Sequence, residues 1–196
     1  MNQAEPGTKI AILLSGTGSN MDAILAACKS GELSAKVVLV ASDNPDSPGL
    51  ARAAKAGYPT LAAPHRKGTA RTENEQPLAQ AIQDSGAEWI VLAGFMRVLT
   101  GDFVRAFSGR IVNIHPSLLP AFPGAHAIRD ALEAGAEITG VTIHIVDELV
   151  DHGPIIAQEE VCVMDCDTEE TLARRVHEVE HRLYPATLQA LFCEDI

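Results

Sequence analysis

Lys9-Ile10-Ala11-Ile12-Leu13-Leu14 runs directly into Ser15-Gly16-Thr17-Gly18-Ser19-Asn20, and the fold is decided in this stretch. A continuous apolar run with no polar alternation reads as a strand buried on both faces, as in a parallel sheet. The glycine-rich turn then feeds a helix over residues 20–29, with Met21, Ile24, Leu25 and Cys28 on one side and Gly31 at its end. Downstream the same unit repeats. Strands are predicted over 36–41, 60–63 and 89–93, and helices over 48–56, 73–84 and 102–107, with turns at Ser42-Asp43-Asn44-Pro45 and Gly57. Alternating strands and helices joined by right-handed crossovers make a Rossmann-like, doubly wound, mostly parallel α/β sheet.

After residue 120 the rhythm changes. A helix over 125–133 leads to 139–146, where Val141, Ile143 and Ile145 alternate with Thr142, His144 and Val146. A second strand, 154–163, follows a short loop, so these two pair antiparallel. Asp167 is expected to cap a last long helix, with Glu170 as its capping-box partner. Leu172, Val176, Val179 and Leu183 form its apolar stripe, and Pro185 is expected to kink it. Residues 1–196 read as one domain.

Composition narrows the function. Lys and Arg total 15 against 26 Asp and Glu, a net charge of −11, which disfavours nucleic acid as a partner. No apolar run reaches the roughly 18 residues of a membrane span. Residues 1–9 are polar and lack a secretory apolar core, so a cytoplasmic location is expected. The four cysteines, Cys28, Cys162, Cys166 and Cys193, show no zinc spacing. Reduced thiols and no metal are expected.

The chemistry concentrates in Arg110-Ile111-Val112-Asn113-Ile114-His115-Pro116-Ser117-Leu118-Leu119-Pro120. Residues i and i+2 of a strand share a face, so Asn113 and His115 project together at the strand end. An amide and an imidazole aimed at one point form a trap for a developing oxyanion. The acidic loop Asp147-Glu148-Leu149-Val150-Asp151-His152-Gly153-Pro154 could turn one carboxylate toward His115 and favour the charged imidazole. Spacing leaves Asp147, Glu148 and Asp151 all open. His144, on the polar side of its strand, suits a supporting hydrogen bond. Gly16 and Gly18 start a phosphate cradle at a helix N-terminus. Met21 stands where a dinucleotide fingerprint has its third glycine, which favours a single phosphate. Asp43 reads as part of an Asx turn with Asn44-Pro45. His65, Arg66, Lys67 and Arg71 make a basic loop in an acidic chain. Together these residues suit acyl-type transfer to a phosphorylated small molecule, or its hydrolysis.

SGTGSN (15–20), AGFMRVL (93–99), NIHPSLLPAFPGAHA (113–127) and DHGPIIAQ (151–158) resemble the folate-dependent phosphoribosylglycinamide formyltransferases of purine synthesis, over residues 9–184. The resemblance implies 10-formyltetrahydrofolate as cosubstrate and glycinamide ribonucleotide as acceptor, in a monomer or homodimer. It implies Asn113, His115 and Asp151 as the catalytic trio, since the family's aspartate directly precedes x-Gly. It implies Gly18, Ser19 and Asn20 at the ribotide phosphate, Glu180 at the ribose and His177 near the phosphate. Met96, Arg97, Val98 and Leu99 would line the pterin pocket, with Asn113 and Asp147 also on the folate, Arg71 at its glutamate end, and Thr142 and His144 in support. A cis Leu119-Pro120 bond is also expected. Asn74, Glu75 and His152 depart from the family pattern. The rival readings are a 10-formyltetrahydrofolate hydrolase and a non-catalytic Rossmann-type nucleotide-binding module.

Overall fold

The computed structural model describes residues 7–193. The predicted absence of a leader concerns residues that lie mostly outside this range. Thirteen elements follow in the order β1 (Thr8–Leu14), α1 (Ser19–Ser30), β2 (Ala35–Ser42), α2 (Pro48–Lys55), β3 (Thr60–Ala62), α3 (Arg71–Ser85), β4 (Trp89–Leu92), α4 (Gly101–Ala106), β5 (Ile111–His115), α5 (Ala127–Glu133), β6 (Ile138–Ile145), β7 (Ile155–Cys162) and α6 (Glu169–Cys193). They build one seven-stranded sheet in the order β3-β2-β1-β4-β5-β6-β7. Strands β1 to β5 are parallel, β6 pairs antiparallel with β5, and β7 pairs antiparallel with β6.

The unbroken apolar run of β1 has the predicted cause. Ile10, Ile12 and Leu14 face a core completed by α1, α2 and α6, through residues such as Met21, Ile24, Leu50, Leu172 and Leu188. Ala11 and Leu13 face the opposite core, closed by Leu78 and Ile82 of α3 and Phe103 of α4. Truncating any of the large side chains would remove its transfer energy and leave a cavity, typically about 2–5 kcal/mol for Leu to Ala.

Strand order reverses between β1 and β4. In open α/β sheets the crevice beyond the strand C-termini at such a switch point is the natural ligand site. The C-terminal ends of β1, β4 and β5 meet there, carrying the Ser15–Asn20 turn, Gly94-Phe95-Met96, and Asn113 with His115.

Two local expectations need correction. The last helix begins at Glu169, so Thr168 is its cap, not Asp167. The Thr168 hydroxyl accepts from the Thr171 N–H (3.3 Å), and the Thr171 hydroxyl accepts from the Thr168 N–H (2.9 Å). This is a capping box with a hydroxyl in the place expected for Glu170. Asp167 instead holds Arg175 at 2.8 and 2.9 Å and accepts from the Met164 N–H. At the end of β2 the Asx contact belongs to Asn44, whose Oδ1 accepts from the Asp46 N–H (3.0 Å), not to Asp43. Pro185 lies inside α6, which continues to Cys193.

The four cysteines are free thiols, and burial pushes Cys28 up to about 11. Among the described residues, no helix is long and apolar enough to cross a membrane.

Candidate active site

Asn113 and His115 stand at the end of β5, paired in register with His144 and Thr142 of β6. Both line a cavity of about 220 Å³ that also takes in Met96, Val98, His144 and Asp151. His115 is buried, and His144 is 2 % exposed. The strand periodicity therefore placed the pair on one face, and the antiparallel neighbour adds a second imidazole.

Hydrogen-bond partners fix the tautomers. His144 Nδ1 lies 3.0 Å from the Ile145 carbonyl, which can only accept, so Nδ1 carries the proton. Its Nε2 then accepts from the Asn113 amide nitrogen at 3.2 Å. Burial pushes His144 below its ordinary 6.5, outweighing the Ile145 carbonyl and the Asp151 charge, and so keeps that lone pair free. One Asn113 N–H is thereby anchored and the other is left for the cavity. His115 Nε2 lies 2.9 Å from the Phe122 carbonyl and must donate to it. This leaves Nδ1 on the side of Asp151.

Of the three acids left open by spacing, Asp151 is the one beside His115, with Oδ2 at 3.5 Å from Nδ1. That is an ion-pair separation and too long for a good hydrogen bond. Asp151 Oδ2 also accepts from the Gly124 N–H (2.8 Å), and Oδ1 lies 3.9 Å from His144 Nε2. Asp147 is turned to His152 and Glu148 to Arg105.

Thr142 supports the proline turn. Its hydroxyl donates to the Ser117 carbonyl (2.7 Å) and accepts from the Leu119 N–H (3.0 Å) and Gln158 Nε2 (2.9 Å). Leu119-Pro120 is cis, as the resemblance implied. Sequence reasoning missed Phe122, Gly124, Ser117 and Gln158. The backbone of the first two holds the His115–Asp151 pair, and Pro123-Gly124 was the only turn signal pointing there.

The glycine turn is built from backbone. Gly18 is the cap of α1 at φ +75°, with no side chain to satisfy the first-turn N–H groups. Those donors are free for an anion. A Cβ on Gly18 would sit 3.0 Å from the Gly49 Cα, so both glycines are needed for α2 to pack against the turn. Ser19 opens the helix. The Asn20 side chain turns inward, and its Nδ2 donates to buried Glu180 Oε2 at 2.9 Å. Its Oδ1 is buried without a partner. Burial pushes the Glu180 carboxyl above its ordinary range, against the Asn20 bond. His177 is exposed on the same helix and stacks on His181 with ring centroids 6.2 Å apart.

On the far side, the Met96 N–H donates to Ser15 Oγ (2.8 Å), tying the two strand ends together. Met96 and Val98 are exposed at the mouth of the cavity, and Arg97 and Leu99 also line it. Arg97 lies 3.2 Å from His65 Nδ1. Arg71 does not line the cavity; its guanidinium reaches the rim by bonding the Val98 carbonyl. The two unusual residues after it have structural partners. Buried Asn74 folds the basic loop, accepting from the Arg66 N–H (2.9 Å) and donating to the Ala70 carbonyl (3.1 Å). Buried Glu75 accepts from the Thr100 N–H at the start of α4 (3.2 Å).

Residues 8–188 match the family model described as formyl transferase. The chain is 38% identical to the phosphoribosylglycinamide formyltransferase of Bacillus subtilis, covering 93% of this chain and 94% of that protein. It belongs to the phosphoribosylglycinamide formyltransferase family. The crystal structure of the Bacillus halodurans phosphoribosylglycinamide formyltransferase superposes with a TM-score of 0.93 at 43% identity, over 96% of this chain and 97% of that one. A Gallus gallus relative named trifunctional purine biosynthetic protein adenosine-3 is 48% identical over 92% of this chain, which spans only 18% of that protein. The fold class is that of the family.

Proposed function

We propose that this enzyme moves a formyl group from 10-formyltetrahydrofolate to the amine of phosphoribosylglycinamide in purine synthesis. The observation that carries the reading is the joining of two half-sites at the C-terminal end of the sheet. A backbone anion cradle at Gly18-Ser19 lies at the end of β1, and the Asn113, His115 and Asp151 cluster lies beyond β5. The residues suit the folate. A cavity with apolar walls at Met96 and Val98 and a polar floor fits a flat heterocycle, and Arg97 stands on its rim. Bound there, the folate supplies an activated formyl carbon.

In this reading the first turn of α1 holds the ribotide phosphate and Glu180 takes the ribose hydroxyls. The amine is thereby aimed at the formyl carbon, and orientation can lower the barrier by several kcal/mol. The second N–H of Asn113 donates to the oxyanion. His115 donates from Nδ1 in its protonated form, with Asp151 balancing the charge. The 3.5 Å gap between them leaves Nδ1–H to be shared with substrate. As the carbonyl re-forms, the proton given up by the attacking amine passes through Nδ1 and Asp151 to the leaving nitrogen. His144 orients the Asn113 amide throughout.

The test is folate absorbance followed with and without the ribotide. Deformylation that requires the ribotide and yields formylated ribotide is expected. Formate release at the same rate without it would make the chain a hydrolase.

A further inference from the structure

The loop that carries Asp151 is fastened within itself by a residue that the reaction does not use. Its two feet are fixed to the sheet. The Val146 N–H donates to the Ile111 carbonyl (2.8 Å) and the Ile145 N–H to the Pro154 carbonyl (2.9 Å). A Cβ on Gly153 would fall 1.9 Å from the Ile145 carbonyl oxygen, so the chain passes tightly beneath that strand end. Between these feet Asp151 adopts φ +52°. Side chains other than glycine rarely hold that conformation, and it persists where neighbours enforce it.

One neighbour acts outside the loop, since Glu148 is paired to Arg105 of α4, itself paired to Asp102. The other acts within it. His152 Nδ1 lies 2.8 Å from Asp147 Oδ2, while Asp147 Oδ1 accepts from the Leu149 N–H at 2.9 Å. One carboxylate thus ties together the first, third and last residues of 147–152, closing a ring around Asp151. Burial pushes Asp147 up, but its bonds to His152 and the Leu149 amide leave it below the usual carboxylate range. His152 is 65 % exposed and does not line the cavity, so neither packing nor substrate contact accounts for it.

We infer that His152 is a positioning residue, latching Asp147 so that the loop presents Asp151 to His115. The inference rests on the formyl-transfer reading for its kinetic consequence, and on the loop alone for its structural one. An exposed pair of this kind typically contributes about 0.2–1 kcal/mol, so changes of about 1.4- to fivefold are expected. Amide hydrogen exchange on the whole, substrate-free protein reads the latch directly. His152→Ala should speed exchange of the Leu149 amide by about that factor, and His152→Asn, whose Nδ2 can replace the ring Nδ1–H, should restore it. In turnover, His152→Ala should lower kcat by a similar factor and leave the ribotide KM unchanged, with recovery in His152→Asn. Unchanged Leu149 exchange in His152→Ala overturns the latch, as does an asparagine variant as loose as the alanine one. Wild-type protein without formyl transfer would sink the functional reading and leave the exchange result to judge the latch.

Discussion

The cradle at β1 and the cluster beyond β5 are built from different materials. Around Gly18 the chemistry is main chain, and side chains matter mainly by being absent, as at Gly18 and Gly49. Around His115 the chemistry is side chain. The backbone carbonyls of Phe122 and Ile145 serve to fix which nitrogen carries which proton, and the Gly124 N–H holds the Asp151 carboxylate. A phosphate has fixed charge, and rigid N–H dipoles suit it. A transferring formyl group changes charge during the reaction, and needs groups that can give and take protons.

The contrast breaks most visibly at the oxyanion. Asn113→Ala and His115→Ala should each cut kcat by about 10²–10³, the usual loss for one oxyanion donor, with the ribotide KM little changed. Single-turnover kinetics on the folded variants checks this, and near-normal turnover in both would end the assignment. Asp151→Asn should fall in the same range, whereas Asp147→Asn should not.

The cradle should answer in binding and stability. A side chain at φ +75° costs about 1–2 kcal/mol, and the Gly18→Ala methyl also meets Gly49. Urea unfolding should register that loss, and the ribotide KM should rise about tenfold. Ser19→Ala removes only a hydroxyl, so its KM should rise a few-fold while kcat holds. A large kcat loss in Ser19→Ala with KM unchanged would blur the division between the two regions.

A smaller effect sharpens it. Burial holds folded His144 below 6.5. Above that pH neither state binds its proton, and the residue adds no pH dependence. As pH falls through 6.5 the unfolded chain takes a proton that the folded chain refuses, so stability declines until the folded value is reached. His144→Gln should flatten that part of the stability–pH curve measured by urea titration. An unaltered slope would mean that His144 is not held neutral.

Much of this was legible in the chain. The buried run Lys9–Leu14 foretold a parallel strand, and the Asn-x-His spacing put two donors on one face. The alternation of Val141, Ile143 and Ile145 foretold an antiparallel pairing. These are local signals, because strand period and glycine tolerance are properties of a few consecutive residues. Other contacts were not legible. At the start of α6 a Thr168–Thr171 capping box forms while Asp167 is held by Arg175. Asn20 turned inward because Glu180, far along the chain, meets it in the core.

By itself the sequence determined the doubly wound layers, the glycine turn and the Asn113–His115 pair. Hydrophobic period and turn chemistry act over short spans and survive without knowledge of the fold. Only the tertiary structure decided which acid meets His115, which imidazole steadies Asn113, and that His152 closes the loop. Those contacts depend on how β5, β6, the turn at Phe122–Gly124 and the 147–152 loop come together, and strand period alone does not encode them.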